Sequence, residues 1–204
     1  MKVRIVLDIL CSWSYLGLTR FGRAAERFRA EGGRVEVEFL PFHLDPTASP
    51  AGMPLKERLV QRFGAAVLDG LEHMTKVAAS DGLRLDYEHA IATHTGQAHG
   101  LIAVASAQGR GEQMAERLFR AHFTDGLNVG DPTVLHRLAD EIGVAWNGED
   151  ATSVSSGLRL VRELGVTGVP VFIFNGGEVL SGAQSEEVFL DSLRGAEATG
   201  PRGV

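Results

Sequence analysis

The chain carries a single thiol, Cys11, and the residues around it favour nucleophilic chemistry. Apolar and polar residues alternate over residues 3–9, which predicts a strand, and Leu18 and Phe21 begin a helical pattern that ends near Gly32. A sulfur at such a junction meets unpaired backbone N–H groups and the positive end of the helix dipole. The junction therefore predicts an activated cysteine whose pKa lies below the ordinary value. By position alone, a small buried apolar side chain is an equal alternative.

Two neighbours of the cysteine have side chains suited to the same chemistry. Ser14 lies three residues after Cys11, so the two side chains are neighbours on one helical turn. The Ser14 hydroxyl can donate a hydrogen bond to the Cys11 thiolate or to a bound cofactor's thiolate, and either bond lowers the pKa of the thiol. Trp13 lies between them, where its ring covers the helix mouth or meets substrate, although packing explains it equally well.

The remaining pattern predicts a sheet that is interrupted by helices. Residues 35–40 alternate as a second strand, and the right-handed crossover rule makes it a parallel neighbour of the first. Residues 55–164 are nearly all helical in pattern, with one buried helix predicted over residues 90–108. The pattern ends with three further elements. It predicts a strand over residues 171–174, a hairpin turn at Asn175-Gly176-Gly177 with its return strand, and a closing helix that Ser185 caps.

The Cys11-x-x-Ser14 sequence at a strand-to-helix junction, followed much later by Gly168-Val169-Pro170-Val171, resembles the thioredoxin superfamily. More narrowly, the chain resembles the DsbA-like family in its FrnE-type branch, which adjoins the 2-hydroxychromene-2-carboxylate isomerases and the kappa-class glutathione transferases. The branch motif usually reads D-x-x-C-P-W-C-Y-x-G. The residues that match it are Asp8, Cys11, Trp13, Tyr15 and Gly17, whereas Ser12 replaces the proline and Ser14 the second cysteine. Further matches are residues 41–46 (with His43 in place of an acidic residue), Ala98-His99, residues 118–123 and residues 168–184.

The resemblance implies an α/β, thioredoxin-like fold with a large helical insertion. Residues 1–45 and 165–195 would form the thioredoxin-like domain, residues 46–164 the inserted helical domain, and residues 196–204 a disordered tail. In the family, a cis Val169-Pro170 bond would face Cys11 and expose its backbone to a peptide or to glutathione.

The resemblance also implies a function, that of a DsbA-like thiol-disulfide oxidoreductase. Because position 14 holds serine, Cys11 would work as a single nucleophilic thiol, and glutathione or mycothiol would resolve the mixed disulfide as co-substrate. One alternative is a glutathione-dependent isomerase or transferase, and another is a non-catalytic thioredoxin-fold binding module. The predicted catalytic residues are Cys11 and Ser14, and the predicted substrate or thiol-cofactor contacts are Ser12, Trp13, Val169, Pro170 and His99.

Bulk properties narrow the classes of partner and cofactor. A net charge of −6 argues against a nucleic-acid-binding surface, and no apolar run is long enough to span a membrane. The absence of a signal-peptide pattern and of any internal disulfide predicts a cytoplasmic protein. His94 and His99 are five residues apart, which does not suit a helical metal pair, so we expect no metal and no tightly bound cofactor. The predicted partner is a protein disulfide or a small-molecule thiol, and a homodimer is left open.

Overall fold

The structure is a computed structural model that describes residues 1–148, 151–175 and 177–199. Strands and helices alternate at both ends of the chain, and helices fill its middle. In chain order the elements are β1 (Lys2–Leu7), α1 (Ser12–Ala30), β2 (Glu36–Pro41), β3 (Met53–Pro54), α2 (Leu55–Phe63), α3 (Val67–Ser80), β4 (Ile91–Ala92), α4 (Gly96–Ala107), α5 (Gly111–Phe123), α6 (Pro132–Ile142), α7 (Ala151–Glu163), β5 (Val171–Phe174), β6 (Val179–Ser181) and α8 (Glu186–Thr199).

A four-stranded mixed sheet in the order β2-β1-β5-β6 forms the centre of the fold. Strand β2 runs parallel to β1, with Val3 opposite Val37, which confirms the predicted β-α-β unit. Strand β5 is antiparallel to β1, and β6 is antiparallel to β5. Ile5 and Val6, neighbours in β1 whose side chains point to opposite faces, are both fully buried, as expected for a central strand that is covered on both faces. The sheet order and its crossover give a thioredoxin-like fold with helices inserted between β2 and β5.

Helices α1 and α8 cover one face of this sheet through an aromatic cluster. The Phe21 ring lies 5.5 Å from that of Phe172 and 5.6 Å from that of Phe189, measured between centroids. The sequence ended the closing helix near Gly195, whereas α8 continues to Thr199. Residues 200–204 of the predicted tail lie outside the described residues, as does Gly176 of the predicted hairpin turn.

The inserted segment contains one strand pair that the sequence pattern did not predict. Met53 pairs antiparallel with Ala92, and Pro54 with Ile91. The predicted helix over residues 90–108 was therefore wrong at its start, because Ile91 and Ala92 are in β4 and α4 begins only at Gly96. The pairing joins the loop after β2 to the segment before α4 and so brings α2 and α3 beside the start of α1.

Helix α5 fixes the insertion against α1 through stacked rings. The Tyr15 ring lies parallel to that of Phe119, with 5.1 Å between centroids and 4° between planes, and 6.2 Å from that of Phe123. All three side chains are buried. The first turns of α1 are therefore held from two sides, by the sheet and by the helical block. None of the helices in the described part of the chain is both long and apolar enough to cross a membrane.

Candidate active site

Cys11 is the residue that caps the N-terminus of α1. Its backbone is extended (φ −96°, ψ 106°), and its Sγ accepts a hydrogen bond from the Ser14 backbone N–H at 3.4 Å. The thiol donates to the Val169 carbonyl oxygen at 3.6 Å. The Val169-Pro170 peptide bond is cis, which confirms the sequence prediction. The sulfur therefore lies between a helix N-terminus and the residue that precedes the cis-proline.

Burial decides the acidity of this thiol. Cys11 is only 8% exposed. The loss of solvation raises its pKa above the ordinary value, and the negative charge of Asp8 adds to this effect. Hydrogen bonds from the Ser14 hydroxyl, the Ser14 N–H and the Trp13 N–H act in the opposite direction without reversing the shift. The predicted lowered pKa is therefore wrong, since the hydrogen bonds at the start of α1 are outweighed by the desolvation of the thiol.

Ser14 is buried beside the sulfur, in the position expected from the spacing. Its side chain has no exposed surface. Among the described residues, no group is positioned to form a well-aligned hydrogen bond with its Oγ. The hydroxyl is nevertheless the strongest of the groups that lower the pKa of Cys11. We interpret this as a hydroxyl that is poorly aligned with the neutral thiol and can rotate toward a thiolate.

Asp8 is a fully buried carboxylate that joins the Cys11 turn to its surroundings. Its backbone carbonyl accepts from the Cys11 N–H at 3.0 Å, and its Oδ2 accepts from the Leu44 N–H at 2.7 Å. Its Oδ1 lies 3.5 Å from His99 Nε2, which also lies 3.1 Å from the Phe42 carbonyl oxygen. Burial raises the pKa of Asp8, but His99, the Leu44 N–H and Thr95 outweigh it, so the net shift is downward.

The structure thus brings together most, but not all, of the site residues predicted from the sequence. Cys11, Ser12 and Trp13 line one cavity, and Trp13 is 43% exposed at its edge. Val169 contacts the sulfur through its carbonyl oxygen, but neither Val169 nor Pro170 lines this cavity. His99 is placed behind Asp8 and does not line this cavity. Its predicted contact with substrate remains a prediction. In the structure, His99 contacts Asp8 and the carbonyl oxygen of Phe42.

The cavity beside Cys11 has a volume of about 330 Å³ and lies between the start of α1, the Leu44-Asp45 loop, α2 and α3. Apolar side chains make up most of its wall. Its lining residues are Leu10, Cys11, Ser12, Trp13, Leu44, Asp45, Leu55, Arg58, Leu59, Arg62, Phe63, Val67, Gly70, Leu71, Met74, Tyr87 and Ala92. This volume is at the lower end of the range for small-molecule sites, roughly 300–1,000 Å³.

Three polar residues of this wall were missed by sequence reasoning. Arg58 and Arg62 project from α2, and Tyr87 follows α3. The Tyr87 hydroxyl is buried and has no partner that meets hydrogen-bond geometry in the described chain, and burial raises its pKa to about 12. Only the i, i+4 spacing of the two arginines was visible in the sequence, and that spacing is also typical of an ordinary solvated helix face.

A larger cavity, of about 770 Å³, lies away from the thiol. His43 and His94 line it together with Trp146, and the two imidazole centroids are 4.8 Å apart. Burial lowers the pKa of His43 to about 4, and the charge of His99 contributes to the shift. No group of three or more His, Cys, Asp or Glu in the described ranges is arranged to hold a metal ion. Cys11 does not line the larger cavity but does line the smaller one, so we take the smaller cavity as the candidate active site.

Comparison with known proteins agrees with this geometry. Residues 2–194 match the DSBA-like thioredoxin domain family. The chain belongs to that family. Its fold is similar to the crystal structure of the probable DsbA oxidoreductase SCO1869 from Streptomyces coelicolor, with a TM-score of 0.87, 30% identity, and coverage of 100% of this chain and 93% of that one. Membership in this family suggests a thiol oxidoreductase or isomerase activity.

Two more distant structures share the fold at lower identity. One is the cytosolic disulfide reductase DsbM from Pseudomonas aeruginosa with GSH, with a TM-score of 0.66, 20% identity, and coverage of 97% and 98%. The other is a 2-hydroxychromene-2-carboxylate isomerase, with a TM-score of 0.69, 17% identity, and coverage of 97% and 96%. At these identities the likeness shows the thioredoxin-like fold alone.

Proposed function

We propose that this DSBA-like protein is a thiol-disulfide oxidoreductase that works through Cys11 as its single thiol. One observation carries the proposal: the chain's single thiol caps α1 and faces the Val169 carbonyl, while Ser14 stands where the family motif has its second cysteine. A hydroxyl cannot attack a mixed disulfide, so an external thiol has to complete the cycle. Glutathione or mycothiol is the proposed co-substrate.

The proposed cycle balances without any other oxidant. The Cys11 thiolate attacks one sulfur of a substrate disulfide, a new S–S bond forms, and the other sulfur leaves as a thiolate that takes up a proton. A small thiol then attacks the mixed disulfide and frees the substrate's second thiol. A second small thiol regenerates Cys11 and yields the oxidised small-thiol disulfide. One substrate disulfide is reduced, and two small thiols are oxidised.

The raised pKa of Cys11 supports cycling in the reducing direction. A thiolate that its surroundings strongly stabilise makes a disulfide easy to reduce and therefore oxidising, as in DsbA itself. At Cys11 burial disfavours the thiolate, so the reduced form gains no such advantage. We therefore propose disulfide reduction rather than disulfide donation.

The isomerase alternative has less support. In that branch a serine usually stands where this chain has Cys11, and it activates glutathione against an aromatic or electrophilic substrate. In such an enzyme that serine hydroxyl contacts the glutathione sulfur, whereas here the Cys11 sulfur would stand in the place of the hydroxyl. An isomerase of this kind should retain activity in a Cys11→Ser variant, whereas the proposed reductase should lose all activity.

The proposal is tested by intact mass and turnover on one preparation. After incubation with oxidised glutathione we expect a single glutathione adduct on the wild type and none on Cys11→Ser. With reduced glutathione as the resolving thiol, we expect turnover of a mixed disulfide by the wild type only. A wild type that forms no adduct, or forms one that reduced glutathione does not release, would refute the monothiol cycle.

A further inference from the structure

The cavity beside Cys11 is apolar over most of its wall. Leu59 of α2 and Leu71 and Met74 of α3 line it, together with Phe63, whose side chain is 62% exposed at the edge. The polar and charged lining residues are a minority, namely Ser12, Asp45, Arg58, Arg62 and Tyr87. Water gains few hydrogen bonds in such a cavity, so an apolar ligand displaces it at little cost.

The polar edge of the cavity has an excess of positive charge. Arg58 donates from Nε to Asp45 Oδ2 at 2.7 Å and from Nη2 to Asp45 Oδ1 at 3.0 Å. This bidentate pair holds the pKa of Asp45 down at about 2, so the carboxylate stays ionised and its charge is matched by Arg58. Arg62 is a second cation beside a carboxylate that is already paired.

Arg62 retains donors for a further anion. Its Nη1 lies 3.3 Å from Asp45 Oδ2 and 3.2 Å from the Leu44 carbonyl oxygen. The guanidinium lies over the Phe63 ring, with Cζ 5.1 Å from its centroid, and among the described residues only Nη1 makes a hydrogen bond; the side chain is 35% exposed. A planar guanidinium with two donors available can bind a carboxylate in a bidentate manner. Arg58, Arg62 and Asp45 together therefore leave a net charge of +1 at the edge of an apolar cavity whose wall includes Cys11.

We infer that the Cys11 cavity binds an apolar molecule with a single carboxylate, whose disulfide reaches Cys11 while the carboxylate pairs with Arg62. This inference rests on the proposed function and names its substrate class. Glutathione itself fits the cavity poorly, because it carries two carboxylates, an amine and two amides that this wall would leave unpaired. We therefore assign the cavity to the substrate and not to the resolving thiol.

Maleimides test the selectivity of the cavity separately from disulfide chemistry. The Cys11 thiolate adds across the maleimide double bond whatever the nitrogen substituent is, so the substituent reports the surroundings. The probes are N-ethyl-, N-phenyl- and N-(4-carboxyphenyl)maleimide. For each probe, the rate constant of its reaction with Cys11 is divided by the rate constant of its reaction with N-acetylcysteine, which corrects for intrinsic reactivity. We expect the corrected rate to rise in that order, with about a tenfold gain from the carboxylate.

Three variants locate the cause of this selectivity. Arg62→Gln should remove the gain from the carboxylate, whereas Arg137→Gln, an exposed arginine on α6, should keep it. Gly70→Leu should reduce the preference for phenyl over ethyl, because Gly70 lines the cavity and an added Cβ meets no atom within 4 Å. Circular dichroism of each variant confirms its fold.

The outcomes separate this inference from the proposed function. A wild type with the same corrected rate for all three maleimides, or an Arg62→Gln variant that retains the carboxylate gain, would overturn the assignment of the cavity. Either result is compatible with a normal glutathione adduct and would leave the oxidoreductase proposal standing. The expected selectivity together with no mixed disulfide would instead refute the redox function and retain the binding site.

Discussion

The Cys11 thiol donates a hydrogen bond to the carbonyl oxygen of Val169, with 3.6 Å between Sγ and oxygen. This bond exists only while the thiol is protonated, so it favours the neutral form. It acts in the same direction as burial, which is the main cause of the raised pKa. The Val169 carbonyl, which the family resemblance predicts to be exposed to a peptide or to glutathione, accepts a hydrogen bond from the thiol in this structure.

The first prediction concerns the pH profile of Cys11. Because its pKa is raised above the ordinary 9.0, the alkylation rate should still be rising with pH at that value, about tenfold per unit below the pKa. Ser14→Ala removes the strongest group that lowers this pKa, so the midpoint should move further upward. The measurement is iodoacetamide alkylation against pH, followed by intact mass. A wild-type midpoint below 9.0 would contradict the assignment of burial as the dominant effect.

The second prediction concerns the missing resolving thiol. The Ser14 N–H already contacts Cys11 Sγ, and Ser14 Oγ has no aligned hydrogen-bond partner among the described residues, so Ser14→Cys breaks no such bond. Positions this close suit disulfide geometry, which needs Cα atoms roughly 4.4–6.8 Å apart. Ser14→Cys should form an intramolecular disulfide and reduce insulin with dithiothreitol, whereas the wild type should be nearly inactive in that assay. A variant that retains two free thiols after oxidation would count against a DsbA-like active site.

The sequence predicted the parts of the site that are close together along the chain. The strand-to-helix junction at Cys11 and the parallel β1–β2 pair follow from periodicity, and the cis bond at Pro170 followed from the family resemblance. These features depend on short segments, in which local pattern and tertiary structure agree.

Features set by distant segments were not predictable in the same way. The direction of the Cys11 pKa shift depends on how completely the loop at Leu44 and the helices α2 and α3 cover the sulfur. The late start of α4 depends on the pairing of Ile91 with Pro54, 37 positions earlier in the chain. Arg62 reaches the cavity through the same pairing, which no local pattern reports. Alternating or helical periodicity describes one element and not the neighbour that covers it.

The third prediction tests the close approach of α1 to the cis-proline segment. A Cβ added at Gly17 would lie 3.1 Å from Pro170 Cγ, 3.3 Å from Phe172 Cζ and 3.4 Å from Ala183 Cα. Overpacking at Gly17→Ala should cost about 1–3 kcal/mol, and helix propensity should return about 0.5–1 kcal/mol, so the free energy of unfolding should fall by up to about 2 kcal/mol. The alkylation rate of Cys11 should change as well, because the proline segment has to move.

A matched substitution in the same helix serves as the control. Gly22 also lies in α1, but a Cβ added there meets no atom within 4 Å. Gly22→Ala should stabilise the protein by about 0.5–1 kcal/mol through helix propensity and leave Cys11 reactivity unchanged. Urea unfolding and alkylation rates measure both effects. Equal stabilisation by the two substitutions would show that the α1–Pro170 contact is not tight.

The last prediction concerns acid stability and rests on His122. This side chain is fully buried on α5, and neither ring nitrogen has a hydrogen-bond partner in the described chain. Burial lowers its pKa from 6.5 to about 4, although the charge of Asp8 acts in the opposite direction. The unfolded chain therefore binds this proton more readily than the folded one. Stability should be complete above pH 6.5 and fall between about 6.5 and 4, by on the order of 3 kcal/mol.

Replacing the imidazole separates this contribution from general acid denaturation. His122→Leu removes the titrating group and two unpaired nitrogens, so the fall in unfolding free energy between pH 6.5 and 4 should become shallower. Met114→Leu changes a fully buried residue of the same helix that does not titrate and should keep the wild-type slope. Half-buried His43, with a pKa of about 4, should supply part of the slope that remains. Urea unfolding at several pH values gives each slope, and an unchanged slope in His122→Leu would show that His122 is not the group whose protonation drives the loss.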